Sequence, residues 1–176
     1  MRLLVVSDTH GDWRSLAAVL RLLGRSVQAL VHLGDGSGDV RSAISSGVPM
    51  PPAYSVRGNV DSDHSVPLLR CFDASGRLVI FAHGHRYPLG EGTSCLARAA
   101  RDAGARAFFF GHTHVPHYEE RGGVAILNPG SLSRPRGPWG PSFAIVEAPP
   151  SSSCLDVKLY ELLGTPSAPR LRVIRL

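Results

Sequence analysis

The chain has 176 residues, a hydrophobic fraction of 43% and a formal charge of +5. This length suits one sizeable core and is short for two, so a single domain over residues 1–176 is expected. No apolar run is long enough for a signal-peptide core or a bilayer span, so a soluble, cytoplasmic protein without a membrane partner is expected. The basic residues are scattered, all but Lys158 are arginine, and no aromatic-interleaved basic run accompanies them, which argues against dedicated nucleic-acid binding. Cys71, Cys95 and Cys154 form no C-x-x-C pair and read as small buried hydrophobes in a reducing compartment.

In chain order, Leu3 to Val6 reads as a buried strand. Gly11-Asp12 then breaks the chain and caps a helix with Leu16, Val19, Leu20 and Leu23 on one face, ended by Gly24. Ala29 to Leu33 is a second strand, Asp39 to Ser46 a brief helix and Ala53 to Val56 a third strand, a pattern that implies parallel crossovers. Leu68 to Phe72 and Arg77 to Ala82 flank Asp73-Ala74-Ser75-Gly76 as a hairpin. Thr93 to Ala103 is helix-compatible, Ala105 to Phe110 is an aromatic strand, and Tyr118 to Glu120 with Val124 to Leu127 brackets Arg121-Gly122-Gly123 as a second hairpin. Phe143 to Glu147, Leu155 to Leu159 and Leu171 to Ile174 complete the set as strands between proline- and serine-rich connectors.

At five strand ends stands a metal-competent side chain, mostly behind a glycine: Asp8 with His10, Asp35, Asn59, His83, and His112 with His114. Loops beyond the carboxyl ends of strands in an open α/β sheet gather on one edge, so these residues can converge. The glycines are expected to turn the chain sharply out of each strand. Carboxylate, imidazole and amide oxygen without thiolate suit manganese, iron, zinc, nickel or cobalt better than calcium. Seven ligands exceed one open ion and suit two ions about 3.5–4 Å apart, which clamp the attacking and leaving oxygens of a phosphoryl displacement.

Asp8-Thr9-His10, Gly34-Asp35, Gly58-Asn59, His83 and Gly111-His112-Thr113-His114 resemble the calcineurin-like metallophosphoesterase superfamily, in order and spacing, through about residue 131. Gly58-Asn59-Val60-Asp61, Ala82-His83-Gly84-His85 and Asn128-Pro129-Gly130-Ser131 look like its small bacterial and archaeal phosphodiesterase branch, the YfcE- and Vps29-like group. The resemblance implies an α/β sandwich of two mixed β-sheets flanked by helices, whereas pattern alone leaves an ordinary three-layer α/β sheet open. It implies a dinuclear phosphodiesterase that uses a metal-bridging hydroxide, most readily with two manganese ions, on a small phosphate ester. Asp8, His10 and His114 would hold one ion and Asn59, His83 and His112 the other, with Asp35 bridging.

Among the remaining polar residues, His85 is a candidate phosphate contact or proton donor, and Arg57 a candidate phosphate fork. Val60 stands where larger relatives carry a histidine, so the usual leaving-group donor is absent; water, His85 or Asp61 must replace it. His32 reads as a packed core residue, and Asn128 to Ser131 as a turn near the site, without Ser131 as a nucleophile. Two other functions stay open: a Vps29-like non-catalytic protein-binding scaffold, and a metal-dependent nuclease. Pattern leaves a homo-oligomer open as well.

Overall fold

The computed structural model describes residues 1–152 and 154–176. Its strands are β1 (Arg2–Val6), β2 (Ala29–His32), β3 (Ala53–Ser55), β4 (Leu69–Asp73), β5 (Leu78–Ala82), β6 (Ala107–Phe109), β7 (Pro116–Arg121), β8 (Val124–Pro129), β9 (Ser142–Glu147), β10 (Asp156–Thr165) and β11 (Ala168–Ile174). The helices are α1 (Trp13–Leu23), α2 (Ser37–Ser45) and α3 (Ser94–Asp102), with a short 3-10 turn at Leu89–Glu91. None of the described helices is long and apolar enough to cross a membrane.

Two mixed sheets result. One has six strands in the order β11-β10-β9-β1-β2-β3, the other five in the order β4-β5-β6-β8-β7. β1, β2 and β3 run parallel, as do β5, β6 and β8; α1, α2 and α3 carry the crossovers from β1 to β2, β2 to β3 and β5 to β6, and β7 lies between β6 and β8 in sequence.

The alternation along β1 explains the layering. Leu3 and Val5 point into a core shared with Val79, Phe81, Phe109 and Leu127 of the second sheet, whereas Leu4 and Val6 pack outward on Leu16, Val19 and Leu20 of α1. On the far side, Ile80, Phe108 and Ile126 pack against Leu96, Ala97 and Ala100 of α3. Each sheet therefore has its partner sheet on one face and helix on the other, so its central strands read as continuous apolar runs. The same runs would serve a three-layer fold, which is why pattern alone leaves that choice open.

Helix α1 starts where expected: Asp12 accepts the Ser15 N–H at 3.1 Å and the Ser15 hydroxyl at 2.6 Å. Leu16, Val19 and Leu20 are fully buried, which stabilises this helix by about 2 kcal/mol per side chain. Gly24 ends it in a right-handed conformation, and a Cβ there would stand 2.2 Å from the Pro49 carbonyl oxygen. Close approach of the next segment, not a left-handed turn, demands this glycine.

Helix α2 begins two residues earlier than expected, because its first N–H groups are capped from outside the helix by Asp61. Strands β10 and β11 are longer than the sequence suggests and meet in a hairpin from Gly164 to Ala168. Cys71 and Cys154 are exposed, Cys71 on the edge strand β4, which corrects the reading of the cysteines as buried hydrophobes.

Candidate metal centre

The ends of β1, β2 and β3 bring Asp8, His10, Asp35 and Asn59 to one rim of the sandwich, and the ends of β5 and β6 bring His83, His112 and His114 to meet them. Main-chain bonds prolong the pairing into these loops: the Asp8 N–H reaches the Gly34 carbonyl at 3.0 Å, His10 reaches Asp35 at 2.9 Å, and Gly111 reaches His83 at 2.9 Å.

Each carboxylate is half committed. Asp8 Oδ2 accepts the His112 N–H at 3.1 Å, which ties the two sheets together, while Asp8 Oδ1 is buried and has no hydrogen-bond partner among the described residues. Asp35 Oδ1 accepts the Val60 N–H at 3.0 Å, and its Oδ2 lies 3.3 Å from His83 Nε2 and 3.9 Å from His10 Nε2. One oxygen of each is thereby held and the other turned inward.

The histidines are oriented from behind. His83 Nδ1 stands 2.8 Å from the Leu33 carbonyl and His114 Nδ1 stands 2.6 Å from the Arg134 carbonyl. A carbonyl only accepts, so Nδ1 carries the hydrogen and a neutral ring turns the Nε2 lone pair into the site. His114 Nε2 then lies 3.1 Å from Asp8 Oδ1 and 3.3 Å from His10 Nε2. The contact with Asp8 sets two acceptors against each other and requires a proton or a cation between them.

Among the described residues, two groups of donor atoms are close enough to hold an ion: Asp8, His10 and His114, and Asp8, Asp35 and His83. The Asn59 Oδ1 joins the second group at 3.2 Å from His83 Nε2. The His112 ring lies 5.2 Å from the His83 ring, beside rather than inside these two groups. A buried carboxylate oxygen without a partner, opposed imidazole nitrogens and an all-oxygen-and-nitrogen donor set fit a divalent transition metal.

The electrostatics point the same way. Burial opposes protonation of His83, but the Asp35 hydrogen bond and the charges of Asp8 and Asp35 outweigh it and raise its pKa. For His114 the Asp8 carboxylate facing Nε2 dominates and raises the pKa. Burial lowers His10 and His112. Burial would raise Asp35, yet His83 and the Val60 N–H bring it down to about 2. The cluster stabilises positive charge at its centre.

Backbone conformation is concentrated here as well. Among the described residues, six non-glycines have positive φ, and five of them are Asp8, His10, Asp35, His112 and His114. Gly34, at φ +98°, makes the sharp turn expected of it, and the metal-competent residues themselves adopt the left-handed conformation as well. Gly58 and Gly111 serve close approach instead: a Cβ on Gly58 would stand 2.0 Å from Asp35 Oδ1, and one on Gly111 would stand 2.0 Å from Ser7 Oγ.

The surrounding residues divide clearly. Asp61 receives N–H bonds from Asp35, Gly36, Ser37 and Gly58 at 2.8–2.9 Å and the Ser37 hydroxyl at 3.0 Å. Burial works against its ionised form, but those donors outweigh it and lower its pKa, so it is a clamp on two ligand loops and no proton donor. The Asn128 amide donates to the Gly111 carbonyl at 2.8 Å and the Thr113 hydroxyl at 3.0 Å, and the buried Ser131 hydroxyl donates to the Asp8 carbonyl at 2.7 Å. The Asn-Pro-Gly-Ser turn thus braces the ligand loops.

His32 is fully buried, accepts the Gly34 N–H at 3.2 Å on Nδ1 and meets the Thr9 hydroxyl at 3.1 Å on Nε2, the packed role expected of it. His85 is half-buried with its ring 5.4 Å from that of His83 and 6.2 Å from that of His112. The Arg57 guanidinium lies against His64. Sequence reasoning overlooked Arg134 and Arg136, which line a depression of about 430 Å³ together with His10, Asn59, His112 and His114.

Residues 1–149 match the calcineurin-like phosphoesterase superfamily domain. The chain is 28% identical over 166 residues to the "Probable metallophosphoesterase YsnB" of Bacillus subtilis, covering 93% of each. It is 31% identical over 168 residues to the "Phosphodiesterase YfcE" of Escherichia coli, covering 84% of this chain and 88% of that one. Among solved structures, a predicted phosphoesterase of Streptococcus pneumoniae superposes with a TM-score of 0.74 at 25% identity, covering 98% of this chain and 97% of the other. The fold is also that of Vps29 from Entamoeba histolytica, with a TM-score of 0.77 at 21% identity and coverage of 99% and 98%. With the family domain spanning most of its length and a metal-competent cluster at the strand ends, the chain belongs to the calcineurin-like phosphoesterase superfamily.

Proposed function

We propose that this protein is a phosphodiesterase working with two divalent ions. Asp8, His10 and His114 would hold the first. His83, Asn59 and His112 would hold the second, with Asp35 between the two. The observation that carries this reading is the pair of acceptor contacts, Asp8 Oδ1 to His114 Nε2 at 3.1 Å and Asp35 Oδ2 to His83 Nε2 at 3.3 Å, which leave two places where positive charge is required.

When bound, such ions activate a water molecule near neutral pH and offset charge on the phosphoryl oxygens. The chain's own contribution is geometric. Main-chain carbonyls fix the tautomers of His83 and His114, and main-chain N–H groups fix the outer oxygens of Asp8 and Asp35. Asn59, at the rim of the depression, is placed to meet a phosphoryl oxygen. The diester preference rests on similarity to the Escherichia coli phosphodiesterase. Manganese is the proposed ion, in keeping with the oxygen and nitrogen donors.

A second reading, a protein-binding scaffold, is favoured by one observation: the fold matches Vps29 over nearly the whole chain. One experiment separates the two. Protein stripped by a chelator and reloaded with manganese, nickel, cobalt or zinc is analysed for metal and assayed on bis(p-nitrophenyl) phosphate. The phosphodiesterase reading expects about two equivalents of metal together with turnover. Full loading without hydrolysis of any phosphate ester would overturn the phosphodiesterase reading and favour the scaffold.

A further inference from the structure

We infer that Arg134 and Arg136 form a second anion subsite beside the metal-ligand cluster, and that the substrate is a phosphate ester carrying a further phosphate group. The inference rests on the phosphoesterase reading above and specifies which ester that site would take.

The two arginines are carried by backbone tied directly to metal-competent residues. The Arg134 N–H donates to Ser131 Oγ at 2.8 Å, and that hydroxyl donates to the Asp8 carbonyl at 2.7 Å. The Arg134 carbonyl accepts from His114 Nδ1 at 2.6 Å, and the Arg136 N–H donates to the His114 carbonyl at 3.0 Å. Pro135 between them fixes one backbone dihedral and itself lines the depression. The backbone that carries the two arginines is thereby held by the same bonds that orient His114.

The charges on the walls are otherwise spent. Arg134 also lines an adjoining depression, of about 430 Å³, whose acidic residues beyond Asp35 are Asp39, Asp61 and Asp63. Asp39 accepts the Thr9 hydroxyl at 2.5 Å and the Gly11 N–H at 2.9 Å. Asp61 is saturated by five donors, and Asp63 pairs with Arg41 at 2.9 Å. The side chains of Arg134 and Arg136, by contrast, make no hydrogen bond or ion pair among the described residues and are exposed. What remains uncommitted around the site is positive.

Two uncommitted guanidiniums lining one depression offer the planar donor forks and the charge that a phosphate group takes. The reacting phosphoryl group belongs at the ligand cluster, where ions answer its charge. The arginines, outside that cluster, meet a group several bonds away on the same molecule.

The test compares two esters with the same reacting bond: thymidine 5′-(p-nitrophenyl phosphate) and its 3′-phosphorylated derivative. Wild-type protein should prefer the 3′-phosphorylated ester in kcat/KM by roughly tenfold, the scale of two partly exposed charge-assisted contacts. In the Arg134→Gln/Arg136→Gln double variant that ratio should fall to near one. A wild-type ratio near one, or an equal loss on both esters in the double variant, would overturn the proposal; the second result would place the arginines on the reacting phosphate instead. If neither ester is hydrolysed, the phosphodiesterase reading is judged separately on bis(p-nitrophenyl) phosphate, and calorimetry on the manganese-loaded protein decides the subsite. Tighter binding of thymidine 3′,5′-bisphosphate than of thymidine 5′-monophosphate, lost in the double variant, would support it; equal affinities would not.

Discussion

Asp61 accepts the backbone N–H of Asp35 at 2.9 Å, so a carboxylate 26 residues further along the chain holds the peptide that carries the proposed bridging carboxylate. The same side chain receives Gly58, one residue before Asn59. Asp61→Ala should leave four buried or half-buried N–H groups without an acceptor and destabilise the protein by about 3 kcal/mol, with Asp61→Asn in between. Metal affinity should fall in both. Thermal melts with and without manganese check this, and a metal-free melting temperature unchanged in Asp61→Ala would refute the clamp.

Asp8 belongs to both groups of donor atoms, whereas His10 and His114 belong to one. Asp8→Asn should therefore reduce binding of both ions, while His114→Ala should chiefly remove one. Asp35→Asn should abolish activity and lower metal content, because its inward oxygen stands between His83 and His10. Metal analysis of the three purified variants beside wild type reads the outcome; full metal content and near wild-type activity in Asp35→Asn would remove its bridging assignment.

Gly58 and Gly111 are held by steric demand. A single methyl on Gly58 would overlap Asp35 Oδ1, and one on Gly111 would overlap Ser7 Oγ and crowd Asp8 Oδ2 at 2.8 Å. Overpacking of this kind costs about 1–3 kcal/mol, and here the atoms that must yield are ligand carboxylates or their neighbours. Gly58→Ala and Gly111→Ala should thus lose metal affinity out of proportion to lost stability. Calorimetric titration with manganese alongside denaturant unfolding separates the two quantities.

Val60, exposed beside Asn59, carries no transferable proton, and Asp61 is saturated by donors, so neither protonates a departing alkoxide. Since general acid catalysis contributes ~100- to 10,000-fold, aryl diesters should be cleaved far faster than alkyl diesters, with a steep dependence on leaving-group pKa. Rates across substituted phenyl phosphodiesters measure that slope. If it is shallow in wild type and steep in His85→Ala, then His85 is the donor.

Much of this architecture is legible in the sequence because its signals are local. Leu3 to Val6, the capped helix from Trp13 and the paired runs around Asp73 to Gly76 each carry their own pattern. The pairing of two sheets is not local: an apolar run buried on both faces looks the same whether a helix or a sheet covers it, and only the family resemblance distinguishes them. The role of Asp61 is hidden for a similar reason, since its partners are main-chain N–H groups from another loop. Arg134 and Arg136 are hidden by composition, because arginine is nearly the only basic residue the chain uses. Exposed Cys71 escapes because a cysteine on an edge strand carries no mark of its exposure.

The left-handed backbone at Asp8, His10, Asp35, His112 and His114 has a consequence for how such a protein changes over time. Each position costs about 1 kcal/mol relative to glycine, though less for aspartate, and five of them together rival the lower end of a domain's net stability of ~5 kcal/mol. Replacing His10 or His112 by glycine would relieve that strain while discarding a ligand. Loss of the site is therefore downhill in stability, and a lineage no longer selected for turnover can become a sturdier scaffold by single steps. Keeping all five side chains in an unfavourable conformation is the cost of retaining the cluster, and it is the feature on which an enzyme and a scaffold of this fold would diverge first.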